Sequence, residues 1–399
     1  MAKHTLQELK QWQSLPLSVK VLMTRERIRA WVKQYGEDGV YISFSGGKDS
    51  TVLLDIVRNK CGYTNIPAVF VDVPTQYPEL RTFAKTFDNV VILRPKISFM
   101  EVCEKYGFPL ISKEVSECVH DARAYLTRVR QLSETADRQI GGYWAIADIL
   151  GVERRDKTKA LTEYEGLKKG IIPDRYKYGA TFKFLKVIGK APHTEKGVLT
   201  NEYSKMHDKS RYQFYLDAPF EISNMCCKAM KKAPIHKYAK ETGRVPMTGQ
   251  MAEESRLRQS AWMKKGCNSF DSKNPMSNPM AFWTENDVLQ YIVENHLPIC
   301  SVYGEVVEDY GNEIDGQMDL SDLGWATPEK KYKTTGCKRT GCMLCGFGCH
   351  LEKSPNRFEM LKETHPGMYG MLDRVTNNGV TFREAIEWTN EHGNMNIKL

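Results

Sequence analysis

Residues 41 to 50 read Tyr-Ile-Ser-Phe-Ser-Gly-Gly-Lys-Asp-Ser, an apolar run that ends in two glycines, a lysine, an aspartate and hydroxyls just before a helical pattern. A strand that turns this abruptly into a helix belongs in a sheet covered by helices. Gly39 to Phe44 reads as the first strand, Ser50 to Asn59 as a helix and Ala68 to Val73 as a second strand, with Val90 to Leu93 a third and Ser98 to Tyr106 a further helix. Such alternation predicts an α/β fold, a doubly wound parallel sheet that binds its ligand at the carboxyl ends of the strands. The turn itself is suited to phosphate. Ser45, Gly46 and Gly47 let successive backbone N–H groups face an anion at a helix N-terminus. Lys48 supplies a point charge and Asp49 a ligand for hydrated magnesium.

The spacing excludes a Walker A loop, which requires Gly-x-x-x-x-Gly-Lys-Ser/Thr; no glycine stands in the required place before Gly47. Composition narrows the class further. With 399 residues, 41% hydrophobic and 27% charged, the chain can bury a core of two domains or of one domain with a large insertion. No apolar run approaches a membrane span and the N-terminus lacks a signal pattern, so a cytoplasmic protein with no membrane partner is expected. Eleven cysteines, clustered rather than evenly spread, favour metal or redox chemistry over a disulfide framework. The net charge of +8 suits an anionic ligand or a nucleic acid.

Before Gly36 the chain reads as helix, with Leu17, Val21, Ile28 and Trp31 close to a 3.6-residue spacing. Four segments follow from composition and pattern: 1–110, an N-terminal helix and the first half of a nucleotide-binding domain; 111–215, a basic, mainly helical insertion; 216–300, the second half; and 301–399, a cysteine-rich segment with a helical tail. Residues 113 to 215 carry 20 Lys/Arg against 14 Asp/Glu, with a helix-like stretch from Val115 to Leu132. Regularity returns at Tyr215 to Ser223, and a lysine-rich helix is expected from Lys228 to Thr242, a strand from Val245 to Thr248, and a helix over Trp283 to His296 introduced by Thr284 with Asp287 three residues on. Cys337, Cys342, Cys345 and Cys349 are spaced C-x4-C-x2-C-x3-C, about 110 residues after Cys226-Cys227. Thiolates so close can converge on zinc or on an iron–sulfur cluster, and spacing alone does not choose between them.

The turn resembles the Ser-Gly-Gly-x-Asp-Ser signature of the PP-loop proteins, matched by Ser45, Gly46, Gly47, Asp49 and Ser50. With Lys48 in the variable place, it is similar to the phosphoadenylyl-sulfate (PAPS) reductase branch of that adenine nucleotide alpha hydrolase-like superfamily. The resemblance implies that these residues and Lys48 hold an adenine nucleotide, ATP or PAPS, with Mg. It also implies that Lys48 and Asp49 are catalytic, and that Asp72 and its loop border the adenosine. Gly249, Glu254, Ser255 and Arg258 match the family's Gly-x-Arg-x-x-Glu-Ser-x-x-Arg motif, expected on the far side of the sheet from the PP-loop; Met251 replaces the motif arginine. A Cys-Cys pair after a strand, followed by a basic helix and later by Gly-Cys-x-x-Cys, resembles the iron–sulfur branch. It implies Cys226, Cys227, Cys342 and Cys345 as ligands of a 4Fe-4S cluster, with zinc as the alternative metal.

One departure shapes the functional expectation: the family's tail cysteine is missing, since no cysteine follows Cys349. Three readings follow. In the first, ATP is cleaved at the α-phosphate to adenylate an acceptor, such as a tRNA or DNA, for sulfur transfer. In the second, PAPS or adenylyl sulfate is reduced by a thiol, with a thioredoxin-like partner. In the third, a non-catalytic nucleotide-sensing subunit binds nucleic acid or protein.

Overall fold

The computed structural model describes residues 3–137, 162, 180–190, 192–195, 198–203, 205–309 and 330–399. Most of the interior of the expected insertion, 138–161 and 163–179, lies outside the described residues. The chain forms two compact units, residues 1–96 with 229–342 and residues 97–228 with 343–399. These boundaries fall elsewhere than the compositional ones at 110, 215 and 300.

The first unit is built on a six-stranded sheet. Its strands are β1 (Val40–Phe44), β2 (Ala68–Val71), β3 (Val90–Leu93), β4 (Val245–Thr248), β5 (Asn268–Ser269) and β6 (Met276–Ser277), in the order β3-β2-β1-β4-β6-β5. All neighbours are parallel except β5 and β6. β1 and β2 are buried along most of their length, as strands covered on both faces must be. The chain winds from β1 outward through β2 to β3 and then returns to the other side of β1 as β4. The carboxyl ends of β1 and β4 therefore flank the topological switch point, where open α/β sheets bind ligands.

Helices α1 (Leu6–Gln13), α2 (Leu17–Tyr35), α3 (Lys48–Asp55), α4 (Pro78–Ala84), α5 (Ala233–Thr242), α6 (Arg256–Lys265) and α7 (Glu285–Glu294) complete this unit. The start of α7 is written in sequence: Thr284 caps it and Asp287 returns the capping-box bond to the Thr284 backbone. The buried stripe of α2 is Leu17, Lys20, Thr24, Ile28, Trp31 and Val32, so it includes two polar residues that the apolar periodicity had passed over. Thr24 accepts the indole N–H of Trp283 at 2.9 Å. The Lys20 ammonium, 1% exposed, donates to both Asp287 carboxylate oxygens at 2.7 Å. This pair fixes α2 to the start of α7. The expected helix at Ser50 to Asn59 begins earlier, at Lys48, and its last turn, Ile56–Lys60, is π-helical.

In the second unit a helix at Phe99–Tyr106 leads to a short parallel pair, Leu110–Ile111 with Gly346–Phe347. The helix at Lys113–Asp137 packs against that at Ala180–Val187, and Pro192–Glu195 pairs antiparallel with Val198–Tyr203. The tail contributes helices Arg357–Thr364 and Phe382–Gly393. Its core is aromatic: Phe108 stacks on Phe382 with ring centroids 4.8 Å apart, and the buried Tyr215 hydroxyl shares a 2.8 Å hydrogen bond with Thr389. Residues 215–223 are not the strand expected ahead of the cysteine pair. Ser210–Asp217 is a 3-10 helix, and only Ile222 forms a bridge, to Phe108. Burial of Tyr215 and Phe220 in the aromatic core, rather than strand pairing, accounts for the apolar pattern there. Among the described residues no helix is long and apolar enough to cross a membrane.

Removing one partner of a buried ion pair strands the other charge without solvent. Lys20→Met is therefore expected to lower unfolding stability by about 3–5 kcal/mol in denaturant titrations, and the double change Lys20→Met with Asp287→Leu to recover most of it. Equal stability of the single variant and the wild type would show that the pair does not tie α2 to α7.

Candidate nucleotide site

The turn after β1 is closed by its own hydroxyls. Ser50 Oγ donates to the Gly47 carbonyl at 2.9 Å and accepts the Ser45 N–H at 3.2 Å, and Ser45 Oγ accepts the Gly47 N–H at 3.3 Å. Gly46 takes a positive φ of 71°, and a Cβ there would press on Leu80 at 3.2 Å. Gly47 caps α3, so the first N–H groups of that helix open into the turn. Gly249, at the end of β4, comes so close that an added Cβ would lie 2.9 Å from the Asp49 carbonyl oxygen. Glycine is the side chain that this approach allows.

A cavity of about 640 Å³ opens at this switch point. That volume is in the range of small-ligand sites. Gly47, Lys48, Asp49 and Ser50 line it together with Gly249, Glu254 and Arg258. The Gly249–Arg258 motif thus meets the PP-loop at the same end of the sheet, and not on the far side as expected; β4 lies directly beside β1, so the segments that leave them are neighbours. Ser255 does not line the cavity: its hydroxyl accepts the Arg258 N–H at 3.2 Å and caps α6. Met251, 3% exposed, packs into the apolar core. Asp72, 5% exposed, pairs with Arg81 at 2.7 Å and Arg94 at 3.4 Å, and Val71 and Gln76 stand on the cavity wall in its place.

Lys48 reaches across the cavity. Its ammonium lies 2.5 Å from Glu285 Oε1 and 2.7 Å from the Lys338 carbonyl. Arg258 pairs with Glu254, whose Oε2 also accepts the Met251 N–H at 2.9 Å. Asp49 is different: Oδ1 is buried with no hydrogen-bond partner. Burial pushes its carboxyl above the usual range, against the pull of the Lys48 charge. Magnesium takes one or two carboxylates and completes its shell with water and phosphate oxygens, so this orphaned oxygen fits such a ligand. Tyr303, pushed up to about 12 by burial, keeps its proton; its hydroxyl shares a 2.8 Å bond with Thr340 and accepts the Lys48 N–H at 3.4 Å.

Sequence reasoning missed Glu285, Tyr303 and the Lys338-Arg339-Thr340 triplet. The signal for the triplet was available as two adjacent cations inside the Cys337-x4-Cys342 interval, a stretch read only for its thiols. Of the expected metal ligands, Cys342 ends the first unit and bridges Gln76, while Cys226, Cys227 and Cys345 belong to the second. The cysteine pair sits on a short helical turn, Met225–Cys227. None of the eleven cysteines forms a disulfide. Among the described residues no three His, Cys, Asp or Glu side chains are grouped to hold a metal ion. Cys349 is 1% exposed and donates to the Cys345 carbonyl at 3.4 Å, with its thiol pushed up by burial, so it is not placed as a nucleophile.

The phosphoadenosine phosphosulfate reductase domain model matches residues 39–165 and 175–346, well over half of the sequence. The chain belongs to this family. The match takes in the PP-loop, the Gly249–Arg258 segment and Cys342 to Cys345. A crystal structure of phosphoadenylyl-sulfate (PAPS) reductase from Candida auris, a phosphate complex, is similar at 14% identity, over 84% of this chain and 98% of that chain, with a TM-score of 0.32. A search of curated proteins gave no match.

An acid with a raised pKa keeps a proton in the folded state that the unfolded chain has already released, so its contribution to stability falls as pH rises through that window. Asp49→Asn is accordingly expected to melt higher than the wild type at pH 8, with the gap closing as pH falls toward 4, while nucleotide binding weakens. A melting difference that does not vary with pH would contradict the burial assigned to Asp49.

Proposed function

We propose that this chain cleaves ATP at the α-phosphate to adenylate an acceptor for sulfur transfer, as in nucleic-acid thiolation. One observation carries the reading: the phosphate-binding turn, Lys48, an unpartnered Asp49 oxygen and Arg258 all line one cavity at the switch point of a parallel sheet. The N–H groups at the start of α3 and the Lys48 ammonium hold the pyrophosphate end of the nucleotide, and Tyr303 keeps the backbone of Lys48 in place. Glu285 and the Lys338 carbonyl fix the lysine along the wall before ligand arrives. Magnesium, held by Asp49, would neutralise phosphate oxygens there. An acceptor oxygen attacks the α-phosphorus, the bond from that phosphorus to the bridging oxygen breaks, and pyrophosphate leaves with the electron pair. A hydrosulfide-equivalent donor then displaces AMP from the activated carbon. The net charge of +8 and the 20 basic against 14 acidic residues in 113–215 support a nucleic acid, tRNA or DNA, as acceptor.

Family membership favours a second reading, reduction of PAPS or adenylyl sulfate by a thiol. Against it, Cys349 is buried. That reading needs a partner thiol of the thioredoxin kind. The two separate in one assay: pyrophosphate release from ATP, stimulated by RNA or DNA and lowered at least about 100-fold by Lys48→Ala, supports adenylation. Sulfite release from labelled PAPS with reduced thioredoxin, and none of that pyrophosphate, would replace it with reduction.

The iron–sulfur part of the reading rests on cysteine spacing and family resemblance, and no chemical step above passes through a cluster. Protein purified without oxygen is expected to contain iron and acid-labile sulfide in stoichiometric amounts, both lost on replacing Cys342 and Cys345. Zinc in place of iron would remove the redox assignment.

A further inference from the structure

The charges that line the cavity pair off unevenly. Five basic and four acidic side chains face it. Lys48 is taken by Glu285 and Arg258 by Glu254. Arg339 makes no hydrogen bond or ion pair with any described residue, and it is exposed on the cavity wall. Its loop is nevertheless pinned on both sides. Ahead of it, the Gly336 and Cys337 N–H groups donate to Tyr303 and Val302 carbonyls at 2.8 and 2.9 Å. The Lys338 carbonyl accepts from Lys48, and Thr340 bonds the Tyr303 hydroxyl. Gly336 is wedged where a Cβ would lie 2.5 Å from the Val302 carbonyl oxygen, so the loop has little room to shift. Among the described residues, an unpaired guanidinium is thus presented on a fixed support in the same cavity as Arg258.

That arrangement is unfavourable in an empty cavity. Burial, and after it the Arg339 charge, act against the charge of Arg258, while Asp49 favours it. An oxyanion shared by the two guanidinium groups reverses the penalty, because planar guanidinium forks match phosphate and sulfate oxygens. Met251, buried in the core, adds no charge to this wall.

We propose that Arg339 and Arg258 form a second oxyanion subsite in the cavity, separate from the Ser45–Ser50 turn, and that it selects ligands carrying two anionic groups. Arg339 is the specificity-determining residue of the pair. The proposal rests on the nucleotide reading above and deepens it: a nucleoside triphosphate, or a nucleotide with a phosphate and a separate sulfate or phosphate, spans both subsites, whereas AMP fills one.

Calorimetric titration of ATP, PAPS, AMP and inorganic pyrophosphate into the full chain tests this, with Arg339→Gln, Arg339→Lys and Lys48→Ala compared. Loss of one charge-assisted contact predicts that Arg339→Gln weakens ATP or PAPS at least about tenfold and AMP much less, with partial recovery in Arg339→Lys. Thermal melting of each variant serves as the folding control; Arg339→Gln is expected to melt no lower than the wild type. If Arg339→Gln binds ATP and PAPS as the wild type does while Lys48→Ala does not, the second subsite is wrong and the nucleotide reading stands. If the wild type binds no nucleotide, that reading fails, and pyrophosphate decides the subsite: binding that depends on Arg339 supports it, and any other result overturns it.

Discussion

The close approach of Gly249 to the carbonyl of Asp49 is the constraint on which the site depends. β1 and β4 run parallel in direct register, Val40 opposite Val245 through Ser43 opposite Thr248, so both segments leave the sheet at the same level. One becomes the phosphate turn and α3; the other must pass over it. With 2.9 Å from a notional Cβ to the Asp49 oxygen, any larger residue would push the two apart. The turn supplies the matching half of the device through Gly46, whose positive φ lets the chain double back into a helix. From these two backbone features follow the cavity, the placing of Arg258 over it, and the opening of the α3 N-terminus toward whatever anion enters.

Charge is then arranged at a cost to the fold. Lys48 is nearly buried and held by a half-exposed glutamate and a backbone carbonyl, a geometry that leaves the ammonium defined before ligand binds. Asp49, next to it, has an oxygen with no partner and a carboxyl pushed up by burial. Unpaired buried polar groups cost stability and persist where function uses them. The contrast with Lys20 and Asp287 is instructive. That pair is buried on both sides but mutually satisfied, and serves to join helices.

How much of this could be read from sequence depended on whether the signal was local. β3 and β4 appear over the residues expected, and the capping box of α7 sits where Thr284 and Asp287 put it. The phosphate turn was legible because two glycines, a lysine and two hydroxyls fall within six residues. The buried face of α2 was misjudged at Lys20 and Thr24, since their partners, Asp287 and Trp283, lie more than 250 residues away. Asp72 was assigned to the adenosine from the resemblance, and its ion pairs with Arg81 and Arg94 were not legible locally. The Lys338–Thr340 loop was overlooked because the surrounding cysteines dominate the local pattern, and its role emerges only once Tyr303 and Lys48 anchor it. For the cysteines, the donor set came from the resemblance, because spacing alone specifies neither the metal nor which thiols share it.

The central claim is that an adenine nucleotide lies in the cavity between the Ser45–Ser50 turn and the Gly249–Arg258 segment. A crystal structure of the full chain with a non-hydrolysable ATP analogue tests it most directly. The account predicts phosphate density against the Ser45–Ser50 turn at the N-terminus of α3, with a further phosphate within reach of Arg258. Nucleotide density elsewhere on the molecule, or an empty turn at saturating analogue, would contradict it.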